Sequence, residues 1–169
     1  MLLDSSDLQS FMASHGISGE ILHLSVPTPT VETAARALGV QPEQIVKSIL
    51  FLVGTGLGSA QPEPVLAIAC GLGYVDQRAI AAHYGVGRKR VRLALPEEVL
   101  AISGYAVGAM PPFGHRQPLR TLLDRRVLEQ SVVYAGGGDE NALLRLNPQD
   151  MALVTGATVL DLSAIQEQE

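Results

Sequence analysis

The chain has 169 residues, of which 47% are hydrophobic and 17% are charged, and this composition excludes a largely disordered protein. The length suits one domain, and the net charge of −5 argues against the broad basic surface of a non-specific DNA-binding protein. The apolar runs are too short to cross a bilayer, the N-terminus lacks the basic region of a signal peptide, and Cys70 is the single cysteine, so we expect a cytoplasmic protein.

Caps, glycines and apolar periodicity predict short helices and strands in irregular order. Helices are expected at residues 4–15, 30–39, 76–84, 96–103 and 148–154, with a further helical turn at Pro42. Strands are expected at residues 20–26, 45–53, 64–70, 90–94, 119–123, 131–135, 142–146 and 158–162, with glycine-rich hairpin connections at 54–59 and 136–140. Ser5 or Ser6 is the expected cap of the first helix, and Thr30 or Thr33 that of the second. Because strict strand–helix–strand alternation is missing, we expect an α/β (mixed α+β) domain whose mixed sheet is surrounded by helices.

Lys47 is an unexpected charge in an apolar strand. Side chains alternate along a strand, so Lys47 shares one face with Ile49 and Phe51, whereas Ser48 shares the other face with Leu50. An ammonium group is rarely buried without a partner, because its desolvation is costly. Either Lys47 lies at the first residue of the strand with its head in water, or it opens into a cleft and meets an anion.

The sequence lacks the usual motifs of metal and serine-hydrolase sites. HExxH, CxxC, GxSxG and the P-loop pattern are all missing, and the four histidines have no metal-ligand spacing. Cys70 lies within an apolar strand and is interpreted as a core residue rather than a nucleophile. The only concentration of basic residues, Arg88–Arg90 with Arg92, fits equally a solvated loop and a small nucleic-acid contact.

A loop rich in glycine and proline follows the fourth helix, at residues 108–115. Pro111 and Pro112 restrain its backbone, while Gly108 and Gly114 permit a positive φ or a close approach. Such a loop can aim its amides at an anion or at a developing oxyanion. An ordinary surface loop is the alternative interpretation.

Three segments in this order resemble one known family: residues 33–40, residues 44–51 around Lys47, and the pattern Gly108-x-x-x-Pro112-x-Gly114. The sequence resembles the YbaK/ProX/EbsC family of stand-alone aminoacyl-tRNA deacylases, which are related to the editing insertion domain of bacterial prolyl-tRNA synthetase. The likeness runs from about residue 31 to residue 162 and includes residues 90–94 and 132–137. It implies a single YbaK-like domain over residues 1–169, with residues 1–30 as an N-terminal helix and strand extension.

The resemblance implies a curved mixed sheet, or a barrel-like one, with a cleft between the Lys47 strand and the Gly108–Gly114 loop. The implied substrate is a mischarged tRNA that enters by its 3′ end, and the implied partner protein is an aminoacyl-tRNA synthetase. The implied reaction is ester hydrolysis without a cofactor, a metal or a covalent enzyme intermediate. The resemblance further implies that a hydroxyl of the terminal adenosine often assists the attacking water, in which case no strong base is required.

The resemblance also assigns site residues. Those expected at the reacting ester are Lys47, Gly108, Pro112 and Gly114. Those expected to bind the substrate are Ser48, Met110, Pro111, Phe113, His115, Gly136 and Gly137. Alanine-specific relatives carry a histidine where this chain has residues 135–138, and relatives often have small polar residues at positions 110 and 111, so the amino acid removed stays open, as does the oligomeric state.

Two other functional classes remain open from the sequence. One is a noncatalytic tRNA-binding or synthetase-binding module with the same fold, and the other is a small-molecule binding domain unrelated to translation. Retention of both Lys47 and the loop favours the deacylase, since a binding module could lose either of them.

Overall fold

The structure is a computed structural model that describes residues 2–54 and 61–164. Its α-helices are α1 (Ser5–Ser14), α2 (Val31–Leu38), α3 (Gln77–Tyr84), α4 (Pro96–Ser103) and α5 (Pro148–Thr155). Its strands are β1 (Glu20–His23), β2 (Val46–Val53), β3 (Glu63–Cys70), β4 (Tyr74–Val75), β5 (Val91–Leu93), β6 (Arg120–Asp124), β7 (Val133–Gly136), β8 (Ala142–Leu146), β9 (Thr158–Leu160) and β10 (Ser163–Ala164). Single 3₁₀ turns occur at Pro42–Gln44, Arg88–Arg90 and Arg125–Glu129. The predicted connection at 54–59 lies, after Gly54, outside the described residues.

Local capping signals account for the helix ends. The Thr30 hydroxyl accepts the N–H of Thr33 at 3.1 Å, and Gly39 ends α2 in the left-handed conformation at φ 68°. The predicted cap of α1 was wrong by one or two residues, because the Asp4 carboxylate accepts the first free amides and Ser5 already lies in the helix. The acidic cap also lies at the positive end of the helix dipole.

The strands form a mixed arrangement, as predicted. The largest sheet has the order β5-β2-β3-β6-β9, in which β2 is antiparallel to β5 and β3, while β6 is parallel to β3 and β9. A second, antiparallel sheet has the order β1-β8-β7, and β4 pairs with β10. Among the described residues the largest sheet ends at β5 and β9 and does not close into a barrel. The sheets meet where Ile45 forms a parallel bridge with Tyr134.

Two predicted strands end two or more residues earlier than expected. The strand predicted at 20–26 ends at His23, because its pairing with β8 stops there. The strand predicted at 158–162 ends at Leu160, and the chain then forms β10 against β4. Asp124, which is buried, fixes this change of direction by accepting the N–H of Leu162 at 3.1 Å and the hydroxyl of Ser163.

Strand β2 passes between two parts of the core. Val46, Leu50 and Leu52 pack in one apolar cluster with residues of α1, whereas Phe51 and Val53 pack in another with residues of α3. The alternation predicted from the sequence is therefore present, and it places Lys47 and Ser48 on opposite faces at the start of the strand. None of the helices in the described ranges is both long and apolar enough to cross a membrane.

Candidate active site

A cleft of about 230 Å³ opens at the start of β2, where the two larger sheets meet. Elements distant in sequence supply its walls: the start of α2, the start of β2, the loop after α4, and strands β7 and β8. The lining residues are Thr28, Pro29, Thr30, Val31, Ala34, Ile45, Val46, Lys47, Ser48, Ile49, Val107, Gly108, Met110, Gly136 and Leu143. Lys47 is the only ionisable side chain in this lining, as far as the described residues show.

Lys47 is the second residue of β2 and is exposed. No carboxylate lies within 4.0 Å of its ammonium group in the described part of the chain. The two interpretations left open by the sequence are therefore compatible, because a position near the strand start gives Lys47 both water and access to the cleft. The ammonium group is free to meet an anion placed there.

Ser48 contributes an enclosed hydroxyl to the same cleft. Its Oγ atom is buried and has no hydrogen-bond partner among the residues described. A buried hydroxyl left without a partner costs about 1–3 kcal/mol. Ser48 can therefore both donate to and accept from a polar group bound in the cleft.

The first half of the predicted loop borders the cleft. Gly108 has a φ of 90°, which favours glycine, and both Gly108 and Met110 line the cleft. The Ala109 amide is used internally, donating to the Ala106 carbonyl at 3.1 Å. The N–H groups of Gly108 and Met110 have no acceptor within the described ranges, so two backbone donors are available to a ligand.

Gly136 holds this loop close to β7. A Cβ atom at position 136 would lie 2.1 Å from the Met110 carbonyl oxygen, so only glycine fits without a shift of the backbone. Two residues after Gly136, the Gly138 amide donates to the Ala109 carbonyl at 3.0 Å. Gly137 is not part of the cleft lining, and its amide instead donates to Ala142 at 3.0 Å in the β7–β8 turn.

The second half of the predicted loop, residues 111–115, does not line this cleft. Pro111 is buried, and a separate cavity of about 430 Å³ is lined by Pro112, Phe113, Gly114 and His115 together with Phe11 of α1 and the following His15. The structure thus separates residues that the sequence grouped into one site. Packing accounts for the separation, since Phe113 is 4% exposed and stacks on Phe11 at 5.9 Å between ring centroids.

His115 ends this second half and is hydrogen-bonded to the loop backbone. Its Nε2 atom lies 2.7 Å from the Pro111 carbonyl oxygen, and because a carbonyl only accepts, Nε2 carries the proton. Burial lowers the pKa of His115 below its ordinary value, although the hydrogen bond to Pro111 opposes this shift. The histidine is therefore held neutral.

The sequence did not predict several cleft residues, which lie just before α2, within α2 and in β8. Thr28 is buried although it lies in a segment interpreted as a linker, and its amide donates to the Glu140 carbonyl at 3.2 Å. Val31 and Ala34 face the cleft from the first turn of α2. The sequence offered one signal for these cleft residues, the alternating prolines and threonines at 27–30. This run ends in the Thr30 cap, which fixes the direction of α2.

No strong nucleophile or metal site accompanies the cleft. Burial and the nearby Asp124 carboxylate raise the pKa of the Cys70 thiol to about 11, so the thiol stays protonated near neutral pH. Within residues 2–54 and 61–164, no group of three or more His, Cys, Asp and Glu side chains could hold a metal ion. What the cleft offers is a cation, a hydroxyl and two amides.

The family of aminoacyl-tRNA editing domains matches residues 25–153. The chain belongs to this family. A crystal structure of a candidate trans-editing enzyme for prolyl-tRNA synthetase superimposes with a TM-score of 0.84 at 32% identity, covering 95% of this chain and 96% of the other. The family and the mixed α/β fold predicted from the sequence are thereby confirmed, as is the class of enzyme, an aminoacyl-tRNA deacylase.

Two relatives show how the domain occurs elsewhere. The candidate Cys-tRNA(Pro)/Cys-tRNA(Cys) deacylase EbsC of Enterococcus faecalis is 24% identical over 134 residues, covering 79% of this chain and 77% of EbsC. The proline–tRNA ligase of Thermotoga neapolitana is 36% identical over 92 residues, which are 53% of this chain and 14% of the ligase. The same kind of domain is thus found alone and within a much longer synthetase.

Proposed function

We propose that this editing domain acts in trans as a hydrolase that cleaves the ester bond of mischarged aminoacyl-tRNA in the cleft at the start of β2. The observation that carries the proposal is the convergence of the Lys47 ammonium group, the enclosed Ser48 hydroxyl and the free amides of Gly108 and Met110 on one small cavity. These groups suit an ester flanked by phosphate, because all of them can donate hydrogen bonds to negatively charged or carbonyl oxygens.

The names of the relatives support a substrate linked to proline coding. EbsC is named for both Cys-tRNA(Pro) and Cys-tRNA(Cys), and several synthetases that carry a similar domain are proline–tRNA ligases. The cleft walls are apolar at Val31, Ala34 and Leu143, which suits an uncharged amino-acid side chain. Editing is needed where a synthetase pocket cannot reject a smaller or isosteric amino acid strongly enough.

The cleft supports a reaction in which the substrate helps to activate water. Since Lys47 is the only ionisable residue in the described lining, the cleft supplies no carboxylate or histidine as a base. A ribose hydroxyl of the terminal adenosine orients the water, whose oxygen attacks the ester carbonyl carbon. The bond from that carbon to the ribose oxygen then breaks, the ribose oxygen takes a proton, and free amino acid and tRNA leave.

The protein groups have distinct roles in this proposal. Lys47 offsets the charge of the terminal phosphate and holds the acylated end, and the amides of Gly108 and Met110 donate to the developing oxyanion. Ser48 orients the acyl group through its hydroxyl. Gly136 positions the amides by admitting Met110 close to β7.

A hydrolysis assay with a panel of mischarged tRNAs tests the proposal. We expect Lys47→Ala to lower kcat/KM by about 10²–10³-fold, the usual loss when one stabilising donor is removed. The matched control is Arg125→Ala, because Arg125 is exposed, lies outside the cleft and is already paired with Asp161. Wild-type ester half-lives that equal the uncatalysed ones across the panel would sink the enzymatic proposal, and undiminished activity in Lys47→Ala would remove the role assigned to that lysine.

A further inference from the structure

Three consecutive cations form an exposed 3₁₀ turn between α3 and β5: Arg88, Lys89 and Arg90, here named the basic turn. None of the three has a carboxylate within 4.0 Å among the described residues. The neighbouring Arg92, by contrast, is bound to Glu98 through two hydrogen bonds of 2.8 and 2.9 Å. The charge of the basic turn is therefore available to a partner, whereas that of Arg92 is already neutralised.

Three further arginines are, like Arg92, already paired with acidic side chains. Arg120, Arg125 and Arg126 each form an ion pair with a carboxylate. In a chain of net charge −5, a run of three cations without acidic partners is a local exception.

The basic turn is hydrogen-bonded to the end of β2 that lies far from the cleft. The Arg90 carbonyl accepts the Gly54 amide at 2.9 Å, so the turn is tied to the end of β2 opposite Lys47. Gly54 lies seven positions after Lys47, which at about 3.3 Å per position places the turn about 23 Å from the cleft along β2. The Arg88 guanidinium also donates to the Val91 carbonyl at 3.2 Å, which orders the turn.

We propose that the basic turn binds phosphates at the base-paired start of the tRNA acceptor stem while the acylated 3′ end occupies the cleft. The proposal rests on the proposed function and adds a second contact to it. A stacked strand advances about 3.4 Å per nucleotide, so 23 Å corresponds to about seven nucleotides. The unpaired 3′ tail of a tRNA is shorter than that, so the cations meet the first base pairs of the stem. Phosphate contacts of this kind fix register without reading sequence.

The test compares two ester substrates: an RNA minihelix that ends in an aminoacylated 3′ tail, and the same aminoacylated tail as a trinucleotide without a stem. The variant is Lys89→Gln/Arg90→Gln, which leaves the Arg88 bond to Val91 intact. The control is Arg125→Gln/Arg145→Gln, which removes the same net charge from positions that already face acids, Arg125 at Asp161 and Arg145 opposite Glu20 across the β1–β8 pair.

For the minihelix we expect the variant to lose on the order of tenfold in kcat/KM at low salt, with kcat unchanged at saturation. Log kcat/KM declines as log salt rises, and each lost phosphate contact makes this decline less steep by about one. The magnitude of the slope should therefore be smaller by about two in the variant. Hydrolysis of the trinucleotide ester should be unaffected. The control should behave as wild type with both substrates.

The outcomes separate the two proposals. If the wild-type protein hydrolyses neither ester, the proposed function fails. If it hydrolyses both but the variant matches the control in kcat/KM and in salt slope, the deacylase stands and the basic turn does not bind the stem. An equal loss on the trinucleotide would also overturn the inference, because it would show that the substitutions act on the cleft rather than on duplex RNA.

Discussion

Replacing Gly136 by alanine tests how the cleft is built. The added Cβ atom would lie 2.1 Å from the Met110 carbonyl oxygen and 2.7 Å from its carbonyl carbon. Real Cβ atoms essentially never come within 3.0 Å of such neighbours, so β7 and the loop must separate by about 1 Å. Both clashing atoms belong to the backbone, so no side-chain rotation can relieve the overlap.

The size of the effect follows from this geometry. Overpacking of a well-packed site costs about 1–3 kcal/mol, and in a domain of this size each kcal/mol lowers Tm by about 2–4 °C. We therefore expect Tm to fall by about 2–12 °C. The same shift moves the amides of Gly108 and Met110, and a displacement of about 1 Å at a reacting centre can cost about 10²-fold in rate.

The assay combines thermal unfolding with hydrolysis of mischarged tRNA at a temperature well below Tm. Gly87→Ala is the matched control, because a Cβ atom there meets nothing within 4 Å and its φ of −70° suits alanine. The control should be neutral or more stable by about 0.4–1 kcal/mol. If Gly136→Ala behaves like Gly87→Ala in both measurements, the close packing of β7 against the loop does not shape the site.

Two further predictions concern ionisation. Because burial lowers the pKa of His115, the unfolded chain binds its proton at a higher pH than the native protein, so the free energy of unfolding should decline as pH falls below about 6.5. In urea titrations from pH 7.5 to 5, His115→Gln should lack that part of the decline, whereas exposed His83→Gln should keep it; parallel curves for wild type and His115→Gln would refute this. Cys70, whose pKa is raised to about 11 from 9.0, should have about 100-fold less thiolate than an ordinary thiol at pH 8. It should resist iodoacetamide until the protein unfolds, and rapid labelling of the native protein would contradict its buried placement.

The features predictable from the sequence are those with a local cause. Thr30 and Gly39 delimit α2, and the apolar alternation around Lys47 predicts β2 and the opposite faces of its two polar residues. The prediction that Lys47 borders a cleft with Gly108 depended on the family resemblance, since nothing in either segment alone specifies the other. The structure places both residues in one cavity.

The features that escaped prediction depend on distant contacts. Strands β4 and β10 have two residues each and exist only because they pair with one another. The division of the loop after Met110 follows from the packing of Phe113 against α1, and its sequence has no periodicity that could show it. Gly136 was expected to bind substrate, but its contact with the Met110 carbonyl is a tertiary constraint that a hairpin motif does not reveal.

The position of Lys47 shows how the fold can carry a reactive cation at little cost. At a fully buried position the ammonium group would lose several kcal/mol of hydration, whereas near the start of β2 it stays exposed. Its charge is then only weakly felt by groups around it, because water screens it. In the proposed reaction, a substrate that fills the cleft displaces this water and strengthens the interaction of Lys47 with the ester held beside the amides of Gly108 and Met110. On that proposal the lysine acts as a clamp whose stabilising effect grows on substrate binding, and a strand start is a more suitable place for it than a strand centre.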